Sequence, residues 1–85
     1  MNLPTRLAKA LLRLTDAEAP DPTRKVAITQ REISQIIGRS RESTNKQLSI
    51  WAKRGWIRLQ RGGITVLRRD KLAEAAAEGT ELDSS

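Results

Sequence analysis

The 85-residue chain contains neither cysteine nor histidine. Without cysteine there is no disulfide staple and no thiol chemistry. Without either residue, zinc sites of the usual kind and His-based acid–base catalysis are excluded. No metal or cofactor is expected. Tyrosine and phenylalanine are also missing, and the only aromatics are two tryptophans. Single-strand readers usually show aromatic platforms, so RNA stays open as a partner but is the less favoured nucleic acid. No apolar run approaches the length of a membrane span. The opening MNLPTRLAKA has no long apolar stretch of the signal-peptide kind. A soluble cytoplasmic protein with no membrane partner is the expectation. Neither a Gly-rich phosphate loop nor a cluster of carboxylates is visible, so an enzyme is disfavoured.

The chain is long enough for one small domain and one modest core. Its formal charge is +6, unevenly spread. Residues 70–85 hold five acids and one lysine, a net −4, so residues 1–69 hold 15 bases against 5 acids, a net +10. A small domain this basic suits a polyanion.

Leu3, Leu7, Leu11 and Leu14 recur at helical spacing, with Arg6, Lys9 and Arg13 off the stripe. This predicts an amphipathic helix over residues 3–15, in whose first turn Pro4 is tolerable. DAEAPDPT then reads as a loop. KVAI reads as a brief strand. Thr29 and Glu32 have the spacing of a capping box, which opens a helix carrying Ile33, Ile36 and Ile37 on one face. Ser34 is small enough to let another helix approach. Gly38 ends this helix, because glycine takes the left-handed conformation without steric cost. Ser40 is the N-cap of a further helix that runs to about Arg54, with Leu48, Trp51 and Ala52 inward. Thr44 and Gln47 stand where a fully apolar stripe would have Val or Leu. Gly55 terminates this helix. Residues 56–59 and 64–67 are two short apolar-rich runs joined by QRGG, a hairpin signal. Asp70 is placed to cap a last short helix, KLAEAAAEG, and TELDSS reads as disordered.

Two short helices across a tight turn form a helix-turn-helix, over residues 29–54. The basic hairpin behind them, residues 56–67, makes the winged variant. The fold class is mainly α with a small β-sheet, a winged helix-turn-helix spanning residues 1–72, with residues 73–85 as a short helix end and a disordered acidic tail. In this geometry the second helix of the pair, residues 40–54, enters the major groove and its first turns meet base edges. That explains the polar stretch GRSRESTNKQL, where a buried helix would have no use for Arg41, Glu42, Asn45 and Lys46.

ITQREISQIIGRSRESTNKQL, with its wing and the leading LPTRLAKALLRL, resembles the C-terminal domain of CRP/FNR-type bacterial transcription regulators. The resemblance covers about residues 3–72 and is most specific in TQREISQIIG followed by SRES. That family joins a β-roll effector domain and a long dimerisation helix to this winged helix, and 85 residues cannot hold all three. The resemblance therefore implies a DNA-binding domain alone, monomeric as it stands, from a homodimeric parent, with RNA polymerase as a further candidate partner. It also implies Arg41 donating to guanine and Glu42 accepting from a cytosine amino group, roles that major-groove chemistry favours. Lys46 stands where arginine is commoner. It still donates to guanine, but without the two-pronged guanidinium. The half-site of the best-known members is therefore not carried over.

Each candidate has a plainer reading beside it. Glu42 also complements the dipole of a helix N-terminus. Asn45 suits adenine or points sideways. Arg39 and Ser40 are phosphate candidates that also fill and cap the turn, and Ser43 suits a phosphate or a thymine methyl. Thr29 is foremost a cap and secondarily a phosphate contact. Arg61 at the wing tip is a phosphate candidate. Lys53 and Arg54 read as a solvated helix end, and Trp51 and Trp56 as packing. The rival function is a winged helix used for protein contact, which would show an exposed apolar patch on the second helix.

Overall fold

The computed structural model describes residues 2–17 and 25–84. Most of the expected loop DAEAPDPT lies outside these residues, as does Ser85. Among the described residues there are four helices, α1 (Leu3–Ala17), α2 (Gln30–Ile37), α3 (Arg41–Lys53) and α4 (Arg69–Ser84). Three short strands, β1 (Lys25–Val26), β2 (Ile57–Gln60) and β3 (Gly63–Val66), form an antiparallel sheet of order β1-β3-β2. The expected strand KVAI is shorter than the sequence suggests, although Ile28 beyond it is still buried.

Leu7 and Leu11 of α1, Ile33 and Ile37 of α2, and Leu48 and Trp51 of α3 converge on one core with Val26, Ile57, Ile64, Val66 and Leu72. Burial of each such side chain contributes about 1.5–3 kcal/mol. α1 and α4 pack antiparallel. Near one end the Thr5 hydroxyl donates to the Ala75 carbonyl at 3.2 Å, and at the other Arg69 pairs with Asp16 at 2.8 Å. An exposed ion pair of that kind contributes at most about 1 kcal/mol, so Leu72 and Ala76 against α1 dominate the contact.

Local chemistry sets the helix ends. Asn2 caps α1, its side-chain oxygen accepting from the Thr5 amide at 2.9 Å. The Thr29 hydroxyl accepts from the Glu32 amide at 3.1 Å, and the Glu32 carboxylate accepts from the Thr29 amide at 3.0 Å, the capping box expected from the sequence. α2 ends at Gly38, φ +70°. There the Gly38 amide donates to Gln35 and the Arg39 amide to Ser34, a Schellman ending. α3 ends the same way, with Gly55 donating to Ala52 and Trp56 to Trp51. The apolar contact that accompanies such an ending is here the stacked pair Trp51 and Trp56, 6.3 Å between ring centroids.

Three expectations need correction. Ile36 does not share the buried face of α2: it is 59 % exposed, and Ser34 is buried instead. At about 100° per residue, Ile33, Ile37 and Ser34 span one narrow arc and Ile36 falls outside it. Asp70 lies inside the first turn of α4, and its carboxylate accepts from Arg68 at 2.9 and 3.1 Å. The region expected as a helix end and disordered tail is helical to Ser84. Leu72 and Ala76 anchor the helix on α1, and the sequence beyond has no proline to stop propagation.

Two predictions follow the caps. A Cβ at Gly38 would meet only Arg6 Nη1, at 3.9 Å, so Gly38→Ala suffers from backbone strain and not from a clash. The left-handed conformation costs about 1–2 kcal/mol for a residue with a Cβ, offset in part by a less flexible unfolded chain. Urea denaturation is expected to show a net loss of about 1 kcal/mol on these grounds. The second concerns Glu32, whose carboxyl is held below its ordinary value of 4.5 by the Thr29 amide and, secondarily, the Thr29 hydroxyl. A lowered folded-state value means stabilisation that is present above 4.5 and lost as pH falls below it. The melting-temperature gap between the parent chain and Glu32→Ala should therefore be open at neutral pH and shrink in acid.

Candidate nucleic-acid interface

The outer surface of α3 is set by what its inner surface buries. Thr44, Leu48 and Trp51 face the core. Thr44 is wholly buried because its hydroxyl donates to the Ser40 carbonyl at 2.9 Å, so the polar group is satisfied within its own helix. The opposite ridge then carries Glu42, Lys46, Ser49 and Lys53, all exposed. Glu42 and Lys46 are one turn apart on that ridge. Ser49 continues it and was not singled out from the sequence, because a lone serine mid-helix gives no signal of its own.

Arg41 is exposed on the flank of α3 and lines a cleft of about 280 Å³. Thr29, Gln30 and Arg31 from the start of α2 and Gln60 and Arg61 from the β2–β3 turn form the rest of its polar wall. Three guanidinium-bearing residues, Arg31, Arg41 and Arg61, therefore meet at the N-terminus of α2. The Thr29 amide and hydroxyl are both engaged with Glu32, while the amides of Gln30 and Arg31 belong to the first helical turn, where N–H groups have no partner within the helix. Such a site suits a phosphate. Gln30, with Thr29, was placed by the sequence near the crossing of the DNA backbone; Arg31 and Gln60 were missed because the hairpin reaches α2 only through the fold.

The hairpin is positioned by the sheet. Gln60 pairs with Gly63, leaving Arg61 and Gly62 as a two-residue turn. Gly63 passes close beneath β1: a Cβ there would lie 2.8 Å from Lys25 Cε and 3.2 Å from the Val26 carbonyl oxygen. The absence of a Cβ permits this approach; the pairing of Lys25 with Thr65 and Val26 with Ile64 holds β3 against β1, and the turn, with Arg61, lies beside the start of α2.

The remaining candidates divide. Ser40 caps α3, its hydroxyl oxygen accepting from the Ser43 amide at 3.1 Å while its proton goes to the Ser43 hydroxyl at 2.9 Å. Both hydroxyls, and Arg39, are exposed at the turn. Asn45 is set back. It is half-buried, and its side-chain oxygen is shut off from solvent without a partner among the described residues. Arg54, expected as part of a solvated helix end, lies with its guanidinium 5.2 Å over the Trp56 ring.

Residues 5–75 match the Crp-like helix-turn-helix domain family. The chain is 37 % identical over 79 residues to a CRP-like cAMP-activated global transcriptional regulator of Mycobacterium tuberculosis, covering 88 % of this chain and 35 % of that protein. It thus spans about a third of the length of the curated relatives it matches. A CRP/FNR-family transcriptional regulator from Thermus thermophilus superposes with a TM-score of 0.80 at 30 % identity, over 91 % of this chain and 41 % of that one. The catabolite activator protein of the same species superposes with a TM-score of 0.77 at 31 % identity, over 88 % and 34 %. On the match over residues 5–75, the chain belongs to the Crp-like helix-turn-helix domain family.

Proposed function

We propose that this chain is a sequence-specific double-stranded-DNA-binding module of a transcription regulator, with α3 laid in the major groove. The observation that carries this reading is the placement of Glu42 and Lys46 on one exposed ridge, flanked by Arg41 and the arginine-lined cleft at the start of α2. Glu42 accepts from a cytosine amino group, and Lys46 and Arg41 donate to guanine. Asn45 is the reader that the geometry supports least, since its amide oxygen faces the protein. Thr29 and Arg61 hold one phosphate at the cleft, while Arg39, Ser40 and Ser43 hold another at the turn. The rival reading, a protein-contact module, calls for an apolar ridge on α3. Ile50, at its flank, is the large apolar residue exposed on that helix.

The chain by itself is proposed to be monomeric, with a homodimeric parent that reads two half-sites and contacts RNA polymerase. Linking two modules raises affinity through effective concentration, so the isolated chain binds more weakly and with strong salt dependence.

Duplexes selected from a randomised pool, titrated by fluorescence anisotropy at two salt concentrations, test the reading. Glu42→Ala should relax one base position, with a loss of discrimination of about 1–3 kcal/mol, and leave the salt slope unchanged. Arg61→Ala should weaken binding to all sequences and reduce the slope by about one. Uniformly weak, salt-driven binding indifferent to Glu42 would overturn base reading by α3. Light scattering behind size-exclusion chromatography should show a monomer at micromolar concentration, and a stable dimer there would refute that assignment.

A further inference from the structure

α1 reaches the helix-turn-helix bend through one polar contact. Arg6 donates from Nη1 to the Ile37 carbonyl oxygen at 2.9 Å, across 31 residues of sequence. Ile37 is the last residue of α2, and its carbonyl sits immediately before the left-handed Gly38. The Ser34 and Gln35 carbonyls are already taken by the amides of Arg39 and Gly38. Arg6 therefore satisfies a carbonyl that the Schellman ending leaves over, and it puts a cation at the negative end of the α2 dipole.

A general need for positive charge on α1 does not account for this contact. Lys9 and Arg13 line the same groove between α1 and α2, beside the exposed Ile36. Neither side chain makes a hydrogen bond or ion pair with another described residue. Arg6 alone is committed to the bend. From the Ile37 carbonyl only Gly38, Arg39 and Ser40 intervene before Arg41 opens α3. So short a connection transmits any shift of the α2 terminus to the first turn of α3, where Arg41 and Glu42 stand. A displacement of about 1 Å is enough to degrade a directional hydrogen bond.

We propose that Arg6 is a positioning residue for DNA recognition: it touches no base, and it fixes the bend that aims the first turn of α3. This rests on the DNA-binding reading above. Arg6→Met keeps most of the apolar stem and removes the donor and the charge, whereas Arg6→Lys keeps a charged donor. Amide hydrogen exchange in the 85-residue chain reads the bend directly, at Gly38 and Arg39, with the Glu32 amide at the other end of α2 as the internal control. Arg6→Met should accelerate exchange at Gly38 and Arg39 about tenfold, the equivalent of one charged hydrogen bond, and leave Glu32 unchanged. Affinity for a selected duplex should fall by about five- to tenfold on the same grounds, with affinity for a scrambled duplex and the salt slope unaltered. Arg6→Lys should restore part of both.

Equal weakening on both duplexes with a slope reduced by about one would make Arg6 a phosphate contact and overturn the proposal. Unchanged exchange at the bend in Arg6→Met would overturn it too. If Arg6→Met did not fold, the same comparison in Arg6→Lys decides, since bend exchange no faster than in the parent together with lost discrimination would sink it. If the parent chain failed to discriminate selected from scrambled duplexes, base reading itself would fall, while exchange at the bend would still report on the tether.

Discussion

The chain passes from α2 to α3 through Gly38 at φ +70°, and the surface that α3 presents depends on that bend. The left-handed residue lets two amides turn back onto the end of α2, so the Ser34 and Gln35 carbonyls are satisfied without extending the helix. Ser40 then restarts helical hydrogen bonding at once by capping α3. Little slack remains between the two helices, and so their relative angle is set by the bend and by the side chains packed on either side of it. Arg6 adds a third point of fixation from α1.

Packing decides which residues of α3 are left outside. Leu48 and Trp51 are large enough to dock the helix, and Thr44 permits close approach at its start while satisfying its own hydroxyl. An apolar residue there would serve the core equally well but would not be required by it. The thin apolar stripe leaves a broad polar surface, from Arg41 round to Lys53. The Schellman ending at Gly55, clasped by the Trp51–Trp56 stack, turns the chain directly into β2 and so ties the hairpin to the far end of the same helix. The basic cleft is a consequence: the turn of that hairpin returns to the N-terminus of α2 and brings Arg61 near Arg31 and Arg41. Charge is partitioned to match, with the acidic excess confined to the stretch occupied by α4 and the basic excess in the remainder.

Features that depend on neighbours within a few residues were legible in the sequence. The Thr29–Glu32 capping box, the Ser40 cap, the helix stops at Gly38 and Gly55 and the two-stranded hairpin each follow from one to four residues and their backbone preferences. The exposure of Arg41, Glu42 and Lys46 followed as well, because helical periodicity with Leu48 and Trp51 inward leaves them outward. Features that depend on contacts between distant segments were not legible. Ile36 is apolar and was expected inside, but an eight-residue helix buries only a narrow arc, and which arc is chosen depends on α1 and α3. In α4 the inward face, Leu72 and Ala76, was legible from KLAEAAAEG, but the continuation of the helix to Ser84 was not. Asn45 resembles its neighbours in sequence, yet the fold turns its amide oxygen towards protein.

By itself the sequence determined the order of elements, where the two helices of the pair begin and end, and which turn of which helix is polar. All of these are consequences of backbone sterics and of hydrogen bonds closed within a few residues. Only the tertiary structure decided that Arg31 and Arg61, 30 residues apart, share one cleft with Arg41, and that Arg6 closes the end of α2. Those arrangements come from burying Leu7, Ile33, Leu48 and Ile64 in a single core, and the hydrophobic force that does so acts without regard to separation along the chain.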